Sequence, residues 1–150
     1  SIPAARLRAI RELSAAGVPT KVMVSPIIAG LNDHEVPEIL KAAKEAGVTS
    51  ASYIMLRLPL TVEPVFLEWL ERTQPTRKER VISRIRQTRD GKLNSAEFGT
   101  RIRGTGEIAE QIGNLFQVFA RKHSLDARLP AFDLTQFRPP TTGKGQQWLF

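Results

Sequence analysis

The sequence predicts an α/β fold met partway through: the last two strand–helix units of a larger parallel sheet, followed by a helical extension. Three observations predict it. Two short apolar, β-branched runs, Lys21–Ile28 and Val48–Leu56, stand about thirty residues apart, the length of a βαβ unit. The segment between them has helix-start and helix-stop residues at its ends. Beyond Pro59 the apolar residues recur at helical spacing only.

Leu7, Ile10 and Leu13 fall on one face of a helix over Pro3–Ala16, with Pro3 suited to its first turn and Gly17 to the position past its end. Lys21–Ile28 has little polar alternation, as expected of a parallel strand covered on both faces, and Pro26 marks the end of regular pairing. Gly30–Asp33 reads as a turn in which Asn32 or Asp33 caps a helix running to about Ala46, with Glu35 and Glu38 at its positive end. Gly47 stops that helix, and the second strand follows. Pro64–Arg72 is a further helix. Thr76 with Glu79 forms a capping box for the next one, which runs to about Arg89 before Asp90-Gly91 ends it. Gly104-Thr105-Gly106 introduces the last helix, from about Glu107 to His123, with Ile108, Ile112, Leu115, Phe116 and Phe119 as its apolar stripe.

Residues 1–60 are thus the last βα units, 61–128 a helical extension and 129–150 an irregular tail, containing Pro130, Pro139 and Pro140, that is expected to wrap over the domain or to be mobile. Two parallel strands do not make a covered sheet, so the remaining strands are expected upstream, with self-association through the sheet edge as the alternative.

With 41% hydrophobic and 25% charged residues the chain has a globular composition, and the absence of a membrane-length apolar run or a signal sequence points to the cytoplasm. The chain has no Cys, which removes thiolate ligands for an iron–sulfur cluster or zinc, and its two His, His34 and His123, lack a metal-ligand spacing. No glycine fingerprint of a P-loop or dinucleotide fold is present. Residues 1–60 carry 7 basic and 5 acidic side chains and residues 61–150 carry 15 and 10, so the net charge of +7 resides mainly in the second half.

The most informative string is Ser25-Pro26-Ile27-Ile28-Ala29-Gly30-Leu31-Asn32-Asp33-His34-Glu35, at the carboxyl end of the first strand. Parallel α/β folds bind ligands there. Taken alone, Gly30 allows a turn and Asp33 caps a helix. The string nevertheless resembles the fifth-strand segment of radical S-adenosylmethionine enzymes, especially the DNA-repair-photolyase-like branch related to spore photoproduct lyase. The resemblance continues through Tyr53-Ile54-Met55-Leu56-Arg57-Leu58-Pro59, Phe66-Leu67-Glu68-Trp69-Leu70 and Phe98-Gly99-Thr100-Arg101-Ile102-Arg103-Gly104-Thr105-Gly106.

This resemblance implies a partial (β/α)6 barrel of the TIM type, here represented by about two of its strands. It implies S-adenosylmethionine and a [4Fe–4S] cluster as cofactors of the parent enzyme. Pro26, Ile27 and Ile28 would lie beside the adenosine, Gly30 would allow close approach, and Arg57 and Leu58 would contact cofactor or substrate. The family's three-cysteine loop is not in this sequence, so the chain by itself is expected to hold neither cofactor and to be inactive, the missing half of the barrel being its first partner. A DNA lesion is the substrate implied by the branch.

A second class of function rests on charge. Arg77, Lys78, Arg80, Arg84, Arg86, Arg89 and Lys92 form a basic helix and turn without an aromatic between them, which reads first as a solvated face. Arg101 and Arg103, at a corner before a helix start, are the better candidates for nucleic-acid phosphate. Gln146, Leu149 and Phe150, in the final Gln-Gln-Trp-Leu-Phe, resemble the short peptides with which bacterial DNA-processing proteins bind the sliding clamp. This alternative is a non-enzymatic basic module that binds DNA or such a partner. Trp69, Phe116 and Phe119 read as core, His34 and His123 as exposed, and Asp33 and Glu35 as helix-start carboxylates.

Overall fold

A computed structural model describes residues 2–131 and 133–136. Among these the chain is a mixed α/β structure with five α-helices and one two-stranded parallel sheet. The order is α1 (Pro3–Ala15), β1 (Lys21–Ile27), α2 (Val36–Glu45), β2 (Ser50–Met55), α3 (Val62–Thr73), α4 (Lys78–Gln87) and α5 (Gly106–Lys122). None of the described helices is long and apolar enough to cross a membrane.

β1 and β2 pair in register from Lys21 opposite Ser50 to Val24 opposite Tyr53, then shift so that Ile27 faces Met55. The chain advances three residues on β1 against two on β2, and the extra residue falls at Ser25-Pro26, whose ring removes a ladder donor. Pro26 thus sits where regular pairing breaks, as its chemistry requires.

One face of the strand pair is well covered. Val24, Ile27, Tyr53 and Met55 share a core with Val36, Leu40 and Ala43 of α2, Ile112, Phe116 and Ala120 of α5, and Leu125. Side chains of this size each contribute about 1.5–3 kcal/mol when removed from water, so this layer is the main source of stability. α5, in the extension, therefore packs in the same core as the sheet. Coil segments also cover the far edge of β2: the amides of Ala51 and Met55 donate to the carbonyls of Leu125 (2.8 Å) and Ile102 (2.9 Å), and Ser50 Oγ donates to Ala127 (2.7 Å).

The other face differs from the sequence expectation. Met23 is 54% exposed and Ser25 is exposed beside it, so β1 is covered on one face only by the described residues. Beyond β1 no further strand pairs among them. α1 likewise buries none of its residues fully. Ile10 only packs against the margin of the core, and Leu13 stays exposed. Ser14 Oγ donates to the Gly47 carbonyl at 3.2 Å and ties α1 to the end of α2.

A second cluster lies at the carboxyl ends of the strands, where Leu70 of α3 and Val81, Ile82 and Ile85 of α4 pack with Ile28, Leu31, Leu56, Phe66 and Trp69. Trp69 and Phe119 are only half-buried, whereas Phe116 is buried; His34 is exposed and His123 half-buried.

Two helix starts depart from their sequence reading. α4 begins at Lys78 with Arg77 as its N-cap and no side-chain cap, so Thr76 and Glu79 form no capping box; Arg77 N–H instead closes a turn on the Gln74 carbonyl. α2 begins at Val36, after a 3-10 turn over Asp33–Glu35, and neither Asn32 nor Asp33 caps it. Both side chains are used by the loop before it.

Candidate functional site

The carboxyl ends of β1 and β2 bring most of the sequence-predicted residues together. In the loop after β1, Asn32 Oδ1 accepts from the Ile28 amide at 2.7 Å, Asn32 Nδ2 donates to the Pro26 carbonyl at 3.1 Å, and Asp33 Oδ1 accepts from the Gly30 amide at 3.1 Å. These bonds are the reason the two side chains leave the helix uncapped: the loop's own donors compete for them and win by proximity. They also consume the backbone amides that an anion at this turn would use.

Gly30 has φ +80°, and a Cβ placed on it would meet the Cδ of Arg84 at 2.9 Å. The close approach expected at this glycine is thus made by the stem of Arg84 from α4. Ile27 and Leu58 are each 1% exposed and Ile28 packs in the second cluster, so Ile27 and Leu58 present backbone only to a ligand. Pro26 is exposed and Arg57 half-buried. Of the six positions, these two offer the most reachable side chains.

Arg89 is the residue that sequence reading placed on a solvated helix face and that the structure buries. Only 2% of it is exposed. Its Nη2 donates to the Leu56 carbonyl at 2.8 Å and its Nη1 to the Thr100 carbonyl at 3.2 Å, so one guanidinium joins the end of β2 to the segment before α5. Burial is the larger cause, and the charge of Arg57 the smaller, of a lowering of the Arg89 pKa from its ordinary value. Val81 and Ile85 mark the buried face of α4 in the sequence, and Arg89 follows four residues on, but the helix ends at Gln87 and Arg89 sits in the turn after it. Asn94, also missed, accepts the Leu58 amide at 3.1 Å. With Arg84 lying on Gly30, Lys78 paired with Glu71, and Arg89 buried, the basic run of α4 keeps only Arg77, Arg80, Arg86 and Lys92 as exposed cations.

Arg101 and Arg103 stack on different rings. Arg101 stands 5.1 Å over the Phe98 ring and Arg103 4.0 Å over the Tyr53 ring. Arg103 and Tyr53 form a wall shared by two open clefts of about 600 and 420 Å³ against α5, lined also by Gln117. At the intervening corner, Thr105 N–H donates to the Thr88 carbonyl at 3.1 Å and Thr105 Oγ1 to Asp90 at 2.8 Å, fixing the start of α5 against the end of α4. Gln146, Leu149 and Phe150 lie outside the described residues.

No protein family, curated protein or solved structure matches this chain. The site must therefore be read from its own chemistry: a parallel-strand end with one exposed proline and a half-buried arginine, and, around the β2 edge, an arginine–tyrosine wall between two clefts.

Proposed function

We propose that this chain supplies the last two strand–helix units and the helical extension of a radical S-adenosylmethionine enzyme of the DNA-repair-photolyase-like branch. The observation that carries the reading is the unfinished sheet. β1 has no strand on its outer edge among the described residues, Met23 and Ser25 face solvent, and α1 buries nothing fully. Parallel sheets are stable when both faces are covered and edges are paired, so these surfaces call for neighbouring strands of a barrel. The motif order along the chain adds to this, since the strings that resemble the family fall at the two strand ends, within α3 and at the corner before α5.

On this reading Pro26 and the backbone of Ile27, Ile28 and Gly30 border the adenosine, and Arg57 and Leu58 lie next along the rim. The chain has no Cys, so its residues do not fit a [4Fe–4S] cluster, whose ligands belong to the missing half of the barrel. What this chain contributes is a wall and a rim, and its substrate class is DNA by analogy with the branch.

The test is the natural gene product, purified without oxygen and given reductant and S-adenosylmethionine. A product heavier than the 16.7 kDa of this chain, with three closely spaced Cys, that forms 5′-deoxyadenosine and methionine supports the proposal. A natural product of this size overturns it.

The net charge of +7 and the exposed Arg77, Arg80, Arg86 and Lys92 favour a second reading, a basic module that binds nucleic acid or a DNA-processing partner such as the sliding clamp. It requires DNA affinity that falls steeply with salt and weakens on replacing Arg101 and Arg103, or clamp binding lost on removing Gln146–Phe150.

A further inference from the structure

We propose that Arg57 and Arg89 together form a receptor for a phosphate-class oxyanion at the carboxyl end of β2. The backbone around Arg57 is fixed from both sides. Arg89 Nη2 holds the Leu56 carbonyl at 2.8 Å, and Asn94 Oδ1 holds the Leu58 amide at 3.1 Å. The side chain of Arg57 thus leaves from a short segment clamped at the peptide on either side of it, the kind of preorganisation a binding site needs.

The two guanidiniums are left without a counter-charge. Ion pairs join Arg8 to Glu12 and Lys78 to Glu71, and neither Arg57 nor Arg89 has a carboxylate of the described residues within pairing distance. The Nε atoms of both are buried and make no hydrogen bond. Buried charges are normally paired and buried donors normally satisfied, and a guanidinium's planar fork is made to meet an oxyanion at two points. Arg89, 2% exposed, supplies fixed charge behind the site, while Arg57, half-buried, is within reach of a small ion.

Charge selects the class of anion. Two uncompensated positive charges match a phosphate monoester or inorganic phosphate, which carries about −1.5 to −2 at neutral pH, whereas a carboxylate leaves one of them unneutralised. Burial first, and the charge of Arg57 second, lower the Arg89 pKa, and a bound dianion offsets both by supplying the missing counter-charge. The inference does not depend on radical chemistry: it follows from charges on this chain alone.

The experiment is titration of the natural protein with inorganic phosphate, followed by calorimetry and by the thermal midpoint. Saturable binding is expected, with Arg57→Gln weakening it at least tenfold and Arg86→Gln, an exposed α4 arginine, leaving it unchanged. Acetate at the same ionic strength is expected not to compete. Should Arg57→Gln not fold, Arg57→Lys, which keeps the charge but loses the fork, shows the same weakening. Absence of saturable binding by the unaltered protein, equal loss in Arg86→Gln, or equal competition by acetate overturns the proposal. Formation of 5′-deoxyadenosine is a separate readout, so failure of one reading is distinguished from failure of the other.

Discussion

Gly113 of α5 and Tyr53 of β2 offer a sharp test of the packing that shapes the cleft wall. A Cβ built on Gly113 would lie 2.9 Å from Tyr53 Oη, closer than such atoms come in contact. The Tyr53 ring is buried and packs on Phe116, 4.7 Å away, with the Arg103 guanidinium 4.0 Å over it, so moving the hydroxyl aside disturbs both contacts. Gly113→Ala therefore sets two effects against each other. Replacing glycine by alanine inside a helix stabilises by about 1 kcal/mol, while forcing an extra methyl into a filled site costs about 1–3 kcal/mol. The single variant should lose about 0–2 kcal/mol. In a Tyr53→Phe background the obstructing atom is gone, and the same substitution should stabilise by up to about 1 kcal/mol. The coupling between the two sites is then about 1–3 kcal/mol, as for residues in direct contact. Urea unfolding of the four proteins, followed by circular dichroism, measures it: with a slope of about 1–3 kcal/mol per molar, the effect moves the midpoint by a readable fraction of a molar or more. A coupling within about 0.5 kcal/mol of zero, the range of independent sites, would refute the contact.

Asn32→Ala removes the acceptor of the Ile28 amide and the donor to the Pro26 carbonyl, and should cost about 1–3 kcal/mol with loss of hydrogen-exchange protection at Ile28; retained protection would show that the amide is held otherwise. The hydrogen bond from Lys78 to Glu71 raises the lysine pKa, so the pair's contribution is fully present at neutral pH and is lost as pH rises past the ordinary lysine range, near 10.4, through the raised value. The gap in thermal midpoint between the unaltered protein and Lys78→Met should accordingly narrow above that pH, and a gap that stays constant contradicts the pairing.

Much of the architecture was legible locally. The period-three-to-four stripe of Ile108, Ile112, Leu115, Phe116 and Phe119 gives α5, and the β-branched runs on either side of α2 give two parallel strands, because hydrophobic period is set by which face each residue presents. Glycine and proline placed the breaks, since their backbone constraints are properties of one residue. The carboxyl-end position of the loop from Ser25 to Glu35 also follows from strand order alone.

Competition between partners was decided elsewhere. Asn32 and Asp33 were equally good caps on paper, but the amides of Ile28 and Gly30 lie nearer once the loop closes. Thr76 and Glu79 had the spacing of a capping box, but the turn on the Gln74 carbonyl makes Arg77 the N-cap, which leaves Thr76 outside the helix and Glu79 in its first turn with no cap bond between them. Arg89 carries the same charge as the arginines of α4 but stands in the turn just past its end, and only the meeting of that turn with the end of β2 and the Thr100 carbonyl turns it inward. What this sequence determines by itself is period and punctuation, which are local; what the tertiary structure alone decides is which polar group finds which partner, because that depends on atoms brought together from distant parts of the chain.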